Sequence, residues 1–181
     1  MPNIPYKNLD GYEPKHVLDA VIARRGGADK LMNLDRILLH SPQIAEGWAV
    51  FFKKVRTELT LDPKLRELAV CAVAMLNGAE YEFHHHRPVW EQAGATAAQI
   101  EAIHHFDPSV VDTARFDAAE RAVLRLAIEM TRQVKVSPET MAAARAAVAN
   151  DQQMLELITT IAAYNMVSRI LVATGVEIEK A

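Results

Sequence analysis

The sequence predicts an all-α protein of about eight helices in a single domain spanning residues 1–181. Helix-start and helix-stop signals follow one another along nearly the whole chain, and no segment shows the alternating pattern of a strand. Half of the residues are hydrophobic and 24% are charged, a balance typical of a globular protein. At 181 residues the chain is long enough to bury a sizeable core.

Helix signals set the predicted boundaries in the first half of the chain. A serine or aspartate before a proline, as at Ser41-Pro42 and Asp62-Pro63, provides an N-cap and a residue suited to the first helical position. Glycine, as at Gly26 and Asn77-Gly78, ends a helix because it adopts the left-handed conformation easily. These signals predict helices over residues 13–25, 28–39, 42–58, 63–76 and 79–93.

The second half of the chain carries the same kinds of signal. Thr96 with Gln99 and Asp117 with Glu120 are predicted capping boxes, and Asp107-Pro108 marks a turn. Ser137-Pro138 begins a further helix, and Asp151 is the predicted cap of the last one. These signals predict helices over about 97–105, 118–134, 138–148 and 151–174.

Composition excludes several classes of function. The net charge of −3 and the scattered basic residues do not fit a nucleic-acid-binding protein. The longest apolar stretch, 157–176, contains Asn165, Ser168 and Arg169, so we interpret it as a buried helix rather than a membrane span. The single cysteine, Cys71, allows no internal disulfide, and the N-terminus lacks the apolar core of a signal peptide. We therefore expect a cytoplasmic protein.

Residues 80–94, EYEFHHHRPVWEQAG, hold the densest group of titratable side chains. On a helix, Glu82 and His86 lie four residues apart and share a face. Tyr81 and His85 form a second such pair, rotated from the first, and His84 points in a third direction. The three histidines therefore cannot all face one site.

Glu67 belongs to the preceding helix, in RELAVCAVAML. The residues after it are apolar on nearly every side, which predicts that Glu67 is at least partly buried and needs a partner or a raised pKa. Arg66 is adjacent in sequence, so we do not expect it to face Glu67. Lys64 and Cys71 are the expected near-face neighbours.

Glu67, Glu82 and His86 allow three interpretations. They could ligate a metal, although no cysteine cluster or HExxH motif accompanies them. They could transfer protons, because an imidazole exchanges a proton near neutral pH and a neighbouring carboxylate orients it. They could also be a plain surface Glu–His pair beside a satisfied core glutamate.

The stretch RELAVCAVAMLNGAEYEFHHHRPVWEQAGATAAQIEAI resembles the carboxymuconolactone decarboxylase family, which shares the alkylhydroperoxidase D-like (AhpD-like) helical fold. The resemblance extends upstream to RILLHSPQIAEGW and downstream to ITTIAAYNMVSRILVATGVEIE. It implies an AhpD-like domain that forms a homo-oligomer, trimer-based or dimeric.

The peroxidase branch of this family carries a Cys-x-x-Cys-x-x-x-His element, with a glutamate on the helix before it. The matching positions are Ala79, Glu82 and His86, with Glu67 upstream, so both redox cysteines are absent. A thiol peroxidase needs a thiolate and a resolving thiol. The resemblance therefore implies acid–base chemistry more than redox chemistry.

The predicted function is a cofactor-free, metal-free acid–base enzyme of the decarboxylase type, acting on a small carbonyl, lactone or carboxylate compound. His86 is the candidate general acid/base, Glu82 its orienting group and Glu67 the second carboxylate. Tyr81 and Arg169 are candidate substrate contacts, although Arg169 could instead pair with a structural carboxylate or reach a subunit interface. Two alternatives stay open: a residual peroxidase-related activity that depends on Cys71, and a non-catalytic oligomeric protein that binds a small ligand.

Overall fold

The computed structural model describes residues 2–107, 111 and 114–180. All the regular secondary structure within these residues is helical, which confirms the all-α prediction. The described chain divides into two compact units: a terminal unit of residues 1–58 and 171–181, and a central unit of residues 59–170. The assignment of the whole chain to one domain stays a prediction.

The terminal unit contains three complete α-helices and one short 3₁₀ helix. In chain order they are α1 (Lys15–Arg25), the 3₁₀ helix (Ala28–Lys30), α2 (Asn33–Leu38) and α3 (Pro42–Thr57). The predicted continuous helix over 28–39 is wrong, because Leu31 and Met32 have extended backbones. The Asp35 carboxylate accepts the Met32 N–H at 3.0 Å and so starts α2 as a separate helix.

The central unit is built around one buried helix. Its helices are α4 (Pro63–Leu76), α5 (Glu80–Gln92), α6 (Ala97–His104), α7 (Ala118–Arg132), α8 (Pro138–Ala146) and α9 (Asp151–Thr174), of which α9 continues beyond this unit. Helix α4 packs against both α5 and α7. Every residue from Glu67 to Ala74 is buried, which confirms the expectation that Glu67 lies inside the protein.

The predicted N-caps are confirmed at five helices. The side chains of Ser41, Asp62, Thr96, Asp117 and Ser137 each accept a backbone N–H of the following first turn. The exception is α9, where Asp151 is already the first helical residue and Asn150 Oδ1 accepts the Gln153 N–H at 3.0 Å. Pro108, of the predicted Asp107-Pro108 turn, lies outside the described residues.

Helix α9 is long and apolar enough to cross a membrane, by length and composition alone. More than half of its most apolar window is buried within the protein. Asn165 and Ser168 are among its buried residues, and they make hydrogen bonds to Thr131 of α7 and Glu82 of α5. These features fit the core helix of a soluble-type helical domain.

Candidate acid–base site

A tight turn brings the two helices of the candidate site together. Helix α4 ends at Leu76, and α5 begins at Glu80. Gly78 between them has a φ of +67°, a left-handed conformation that glycine adopts without strain. The turn folds α5 back onto α4, so that Glu67 and His86 face each other across the helix pair.

Glu67 and His86 form a short hydrogen bond. His86 Nδ1 lies 2.7 Å from Glu67 Oε2, and the side chains are 12% and 2% exposed. The second carboxylate oxygen of Glu67 accepts the Arg66 Nε–H at 3.1 Å. The expectation that Arg66 does not face Glu67 is therefore wrong, because a long, flexible guanidinium arm reaches back to the neighbouring side chain. Lys64 instead pairs with Glu120 at 2.8 Å.

Glu67 is ionised under ordinary conditions. Burial by itself raises the pKa of Glu67, but the hydrogen bond and charge of His86, together with Arg66, outweigh burial and lower that pKa. An ionised carboxylate only accepts hydrogen bonds, so His86 Nδ1 must carry the proton of this contact. In its neutral form, His86 then carries its lone pair on Nε2.

Helix α9 supplies an aromatic wall for His86. The Tyr164 ring meets the His86 ring edge to face, with centroids 4.9 Å apart and planes at 84°. Tyr164 is 1% exposed, so its position is held by the core. Glu67 and Tyr164 together hold the imidazole in one orientation.

Glu82 is held by a different partner from the one predicted. Ser168 Oγ on α9 donates to Glu82 Oε2 at 3.0 Å, and it also lies 2.8 Å from the Tyr164 carbonyl oxygen. Glu82 is 2% exposed. Glu67 rather than Glu82 thus makes the short hydrogen bond to His86. Helix spacing suggested Glu82 as the group that orients His86, but in the structure Glu67 has that position and Glu82 is the second carboxylate.

Cys71 lies in the core of the same unit and is fully buried. Burial raises the pKa of its thiol well above the ordinary value, and the charges of Glu67 and Glu82 raise it further. The thiolate is therefore strongly disfavoured. This environment is unlike that of a reactive cysteine, which lies near positive charge and solvent.

The predicted substrate contacts, Tyr81 and Arg169, have partners other than Glu67 and His86 in their described contacts. Tyr81 is 5% exposed, and its ring packs on His85 with centroids 4.5 Å apart. Arg169 lies on the exposed side of α9, where its guanidinium donates to the Asn165 carbonyl and side-chain oxygens at 2.8 and 2.6 Å. His84 is exposed, as expected for a histidine that points away from the site.

Sequence reasoning missed three residues of the site: Arg66, Tyr164 and Ser168. Tyr164 and Ser168 are four residues apart on α9 and therefore share a helix face. That spacing predicts that the two side chains lie together, but it does not predict which helix they pack against. In the described part of the chain, three metal-ligating side chains converge at Glu101, His104 and His105 rather than at this site.

One known protein family matches a segment of the sequence that begins in the terminal unit and ends in the central unit. Residues 42–129 match the carboxymuconolactone decarboxylase family. This segment belongs to that family. The match begins with α3 and ends within α7, so the Glu67–His86 pair lies inside the carboxymuconolactone decarboxylase segment. No curated protein sequence matches the chain.

Solved structures share the fold over nearly the whole chain. An uncharacterized peroxidase-related protein from Silicibacter sp. superposes with a TM-score of 0.81 at 17% identity, covering 98% of this chain and 92% of that one. An alkylhydroperoxidase AhpD core protein from Ralstonia eutropha gives 0.82 at 15% identity, with coverages of 99% and 93%. The debrominase Bmp8, in complex with 2,3,4-tribromopyrrole, gives 0.74 at 18% identity, with coverages of 98% and 91%. These likenesses confirm the predicted AhpD-like fold.

Proposed function

We propose that the protein is a cofactor-free acid–base enzyme of the carboxymuconolactone decarboxylase type, acting on a small carbonyl, lactone or carboxylate compound. The observation that carries the proposal is the 2.7 Å hydrogen bond between Glu67 and His86 inside the family segment. A carboxylate that orients an imidazole and stabilises its protonated form is an arrangement that supports general acid–base catalysis.

His86 is the proton carrier in this proposal. Its Nδ1–H is held by Glu67, and Nε2 is the atom proposed to exchange a proton with the substrate. When a lactone carboxylate loses CO₂, the C–C bond breaks and its electron pair moves into the conjugated carbonyl. His86, protonated by solvent water before the step, then donates that proton to carbon and returns to the neutral form. Glu67 stabilises the imidazolium between these steps.

Glu82 is the second carboxylate of the site and is held in place by Ser168. Its proposed role is to contribute negative charge near the reacting carbonyl. Tyr81 and Arg169 are the candidate substrate contacts. Arg169 is exposed and bound only to neutral oxygens of Asn165 in its described hydrogen bonds, so its charge is available to a carboxylate. Assembly into a homo-oligomer, trimer-based or dimeric, stays a prediction.

The peroxidase-related alternative is disfavoured by Cys71. It is the only cysteine of the chain, it is buried, and its thiol pKa is raised well above the ordinary value. A thiol-based peroxidase needs an accessible thiolate to attack the peroxide. A non-catalytic binding protein could have the same fold. It would differ from the proposed enzyme because ligand binding would not depend on proton transfer by His86.

A proton-exchange experiment tests the proposal without knowledge of the full reaction. The protein is incubated in D₂O with a panel of small γ-lactones, β-keto acids and unsaturated lactone carboxylates, and carbon-bound deuterium and released CO₂ are measured. We expect at least one compound to exchange or decarboxylate. His86→Gln should then lower that rate by about 10²–10⁴.

His84→Gln is the matched control, because it removes a neighbouring histidine that is exposed on the same helix. It should leave the rate within about twofold of the wild-type rate. Unchanged turnover in His86→Gln would overturn the assigned role. Tight binding of a panel compound without exchange in the wild-type protein would support the binding-protein alternative.

A further inference from the structure

A second group of histidines and carboxylates lies at the C-terminal end of α6. Glu101, His104 and His105 occupy positions i, i+3 and i+4, so one helix end presents all three side chains to the same side. One ligand atom from each lies within 4.8 Å of the other two. All three residues are exposed to solvent. The group is separate from the hydrogen bond between Glu67 and His86.

We propose that Glu101, His104 and His105 bind a divalent transition-metal ion, with Zn²⁺ as the representative ion. This assignment departs from the sequence-based expectation of a metal-free protein. Imidazole nitrogen with carboxylate oxygen is a ligand set that suits Zn²⁺ and neighbouring ions. A Glu-x-x-His pair on one helix, as Glu101 and His104 form, also recurs among metal-binding helical bundles.

The observed distances fit a shared ion. Two ligand atoms bound to a tetrahedral Zn²⁺, each about 2.1 Å from the metal, are roughly 3.4 Å apart. His105 Nε2 lies 3.3 Å from Glu101 Oε1. That separation is longer than an ordinary hydrogen bond and close to the spacing of two ligands on one ion. Small rotations of the exposed Glu101 and His105 side chains would bring their ligand atoms to the same spacing from His104.

His104 is held in position by helix α5. Its ring stacks on the Phe83 ring, with centroids 5.0 Å apart and planes only 4° from parallel. Phe83 is 4% exposed, so the stacking surface is fixed by the core. Holding one ligand in place lowers the ordering cost of binding, because fewer side-chain torsions are frozen when the ion arrives.

Helix α5 also contributes negative charge. Glu80 Oε2 lies 3.6 Å from His104 Nε2. The carboxylates of Glu80 and Glu101 together balance the two charges of a divalent cation. Glu101 and His105 also line a cleft of about 360 Å³, which leaves room for water to complete the coordination.

Zinc titration of tag-free, chelator-treated protein tests this site. Calorimetry should show one equivalent of Zn²⁺ bound by the wild-type protein, and Co²⁺ should give the visible absorption of a tetrahedral complex. The double variant His104→Gln/His105→Gln should bind Zn²⁺ at least about 100-fold more weakly, because even loss of an outer partner of a metal ligand costs 10–100-fold. Glu101→Gln should weaken binding by at least about tenfold.

Two controls separate this site from other histidines. His16→Gln removes an exposed histidine 3.0 Å from Glu46, a pair of the same residue types that has no third ligand among the residues the structure describes. The double variant His84→Gln/His85→Gln removes two histidines of the run on α5. Both should bind Zn²⁺ within about twofold of the wild-type affinity.

A stability measurement adds a readout that does not depend on activity. Zn²⁺ should raise the melting temperature of the wild-type protein and leave that of His104→Gln/His105→Gln unchanged. Without metal, the melting temperatures of these exposed-site variants should stay close to the wild-type value. Absence of Zn²⁺ binding by the wild-type protein would overturn the proposal. So would one-equivalent binding that survives in His104→Gln/His105→Gln.

Discussion

His86 Nδ1 lies 2.7 Å from Glu67 Oε2, although the two residues are 19 positions apart and belong to different helices. The contact places an ionised carboxylate inside the protein against the last histidine of the 84–86 run. Its neighbour Arg66 occupies the other carboxylate oxygen at 3.1 Å. Because both oxygens are engaged, protonation of Glu67 breaks charged contacts on two sides.

Protonation of Glu67 at low pH should therefore lower the free energy of unfolding of the protein. The pKa of Glu67 is lowered in the folded state, so its contribution is fully present above the unfolded value of about 4.3 and is lost as the pH falls through the folded value. Urea unfolding of the wild-type protein from pH 7 to pH 3 should show this decrease. Glu67→Gln should show a smaller decrease over that range.

At neutral pH, Glu67→Gln should also lower the free energy of unfolding by about 1–3 kcal/mol, because the buried partners lose a charged acceptor. Glu101→Gln is the matched control, since Glu101 is exposed and contacts the exposed side chain of His105. Parallel pH curves for wild type and Glu67→Gln would contradict the assignment.

Ser168 should stabilise the protein through Glu82. The hydroxyl has one proton and two acceptors in range, Glu82 Oε2 at 3.0 Å and the Tyr164 carbonyl at 2.8 Å. A carboxylate accepts the stronger hydrogen bond, so we expect the proton to point to Glu82. Ser168→Ala should lower the free energy of unfolding by about 1.5–3 kcal/mol.

A double-mutant cycle with Glu82→Gln decides which acceptor Ser168 uses. If the proton points to Glu82, the two substitutions should couple by at least about 0.5 kcal/mol. Additive effects would mean that the Ser168 hydroxyl donates its hydrogen bond to the Tyr164 carbonyl oxygen and not to Glu82.

Cys71 should not react in the folded protein. Burial and the negative charges of Glu67 and Glu82 keep its thiol protonated, and the side chain is inaccessible. Iodoacetamide at pH 8 should modify Cys71 only after urea unfolding, as measured by intact mass. Cys71→Ala should leave any peroxide consumption unchanged. A loss of peroxide consumption in Cys71→Ala would revive the peroxidase-related alternative.

Asp35 should be a major stabilising residue of the terminal unit. Its carboxylate is 1% exposed and accepts hydrogen bonds from Arg24 Nη2 at 2.7 Å and Arg25 Nε at 2.7 Å. Asp35→Asn leaves both guanidinium groups without their counter-charge, and we expect a loss of about 3–5 kcal/mol in the free energy of unfolding.

Glu46→Gln is the comparison for Asp35→Asn. It removes a carboxylate that is 51% exposed and paired only with the surface residue His16 in the described contacts. It should cost less than about 1 kcal/mol. Equal losses in urea unfolding of the two variants would show that the Asp35 cluster adds nothing beyond a surface pair.

Local signals in the sequence determined most of the helix boundaries. Ser41-Pro42, Asp62-Pro63 and Ser137-Pro138 each start a helix where the sequence predicted one, because capping depends on side chains within one turn of the helix end. The same local rules failed over residues 28–39. There Asp35 is drawn to Arg24 and Arg25 of another helix, and helical periodicity does not encode that contact.

The sequence by itself also determined which residues carry the candidate chemistry, since Glu67, Glu82 and His86 stand out by type and spacing. Only the tertiary structure decided how they pair. Helix periodicity places Glu82 and His86 on one face, but the short hydrogen bond to His86 comes from Glu67 on the helix before it. The turn at Gly78 and the packing of α4, α5 and α9 set that pairing, because a contact between helices depends on how their faces meet in three dimensions.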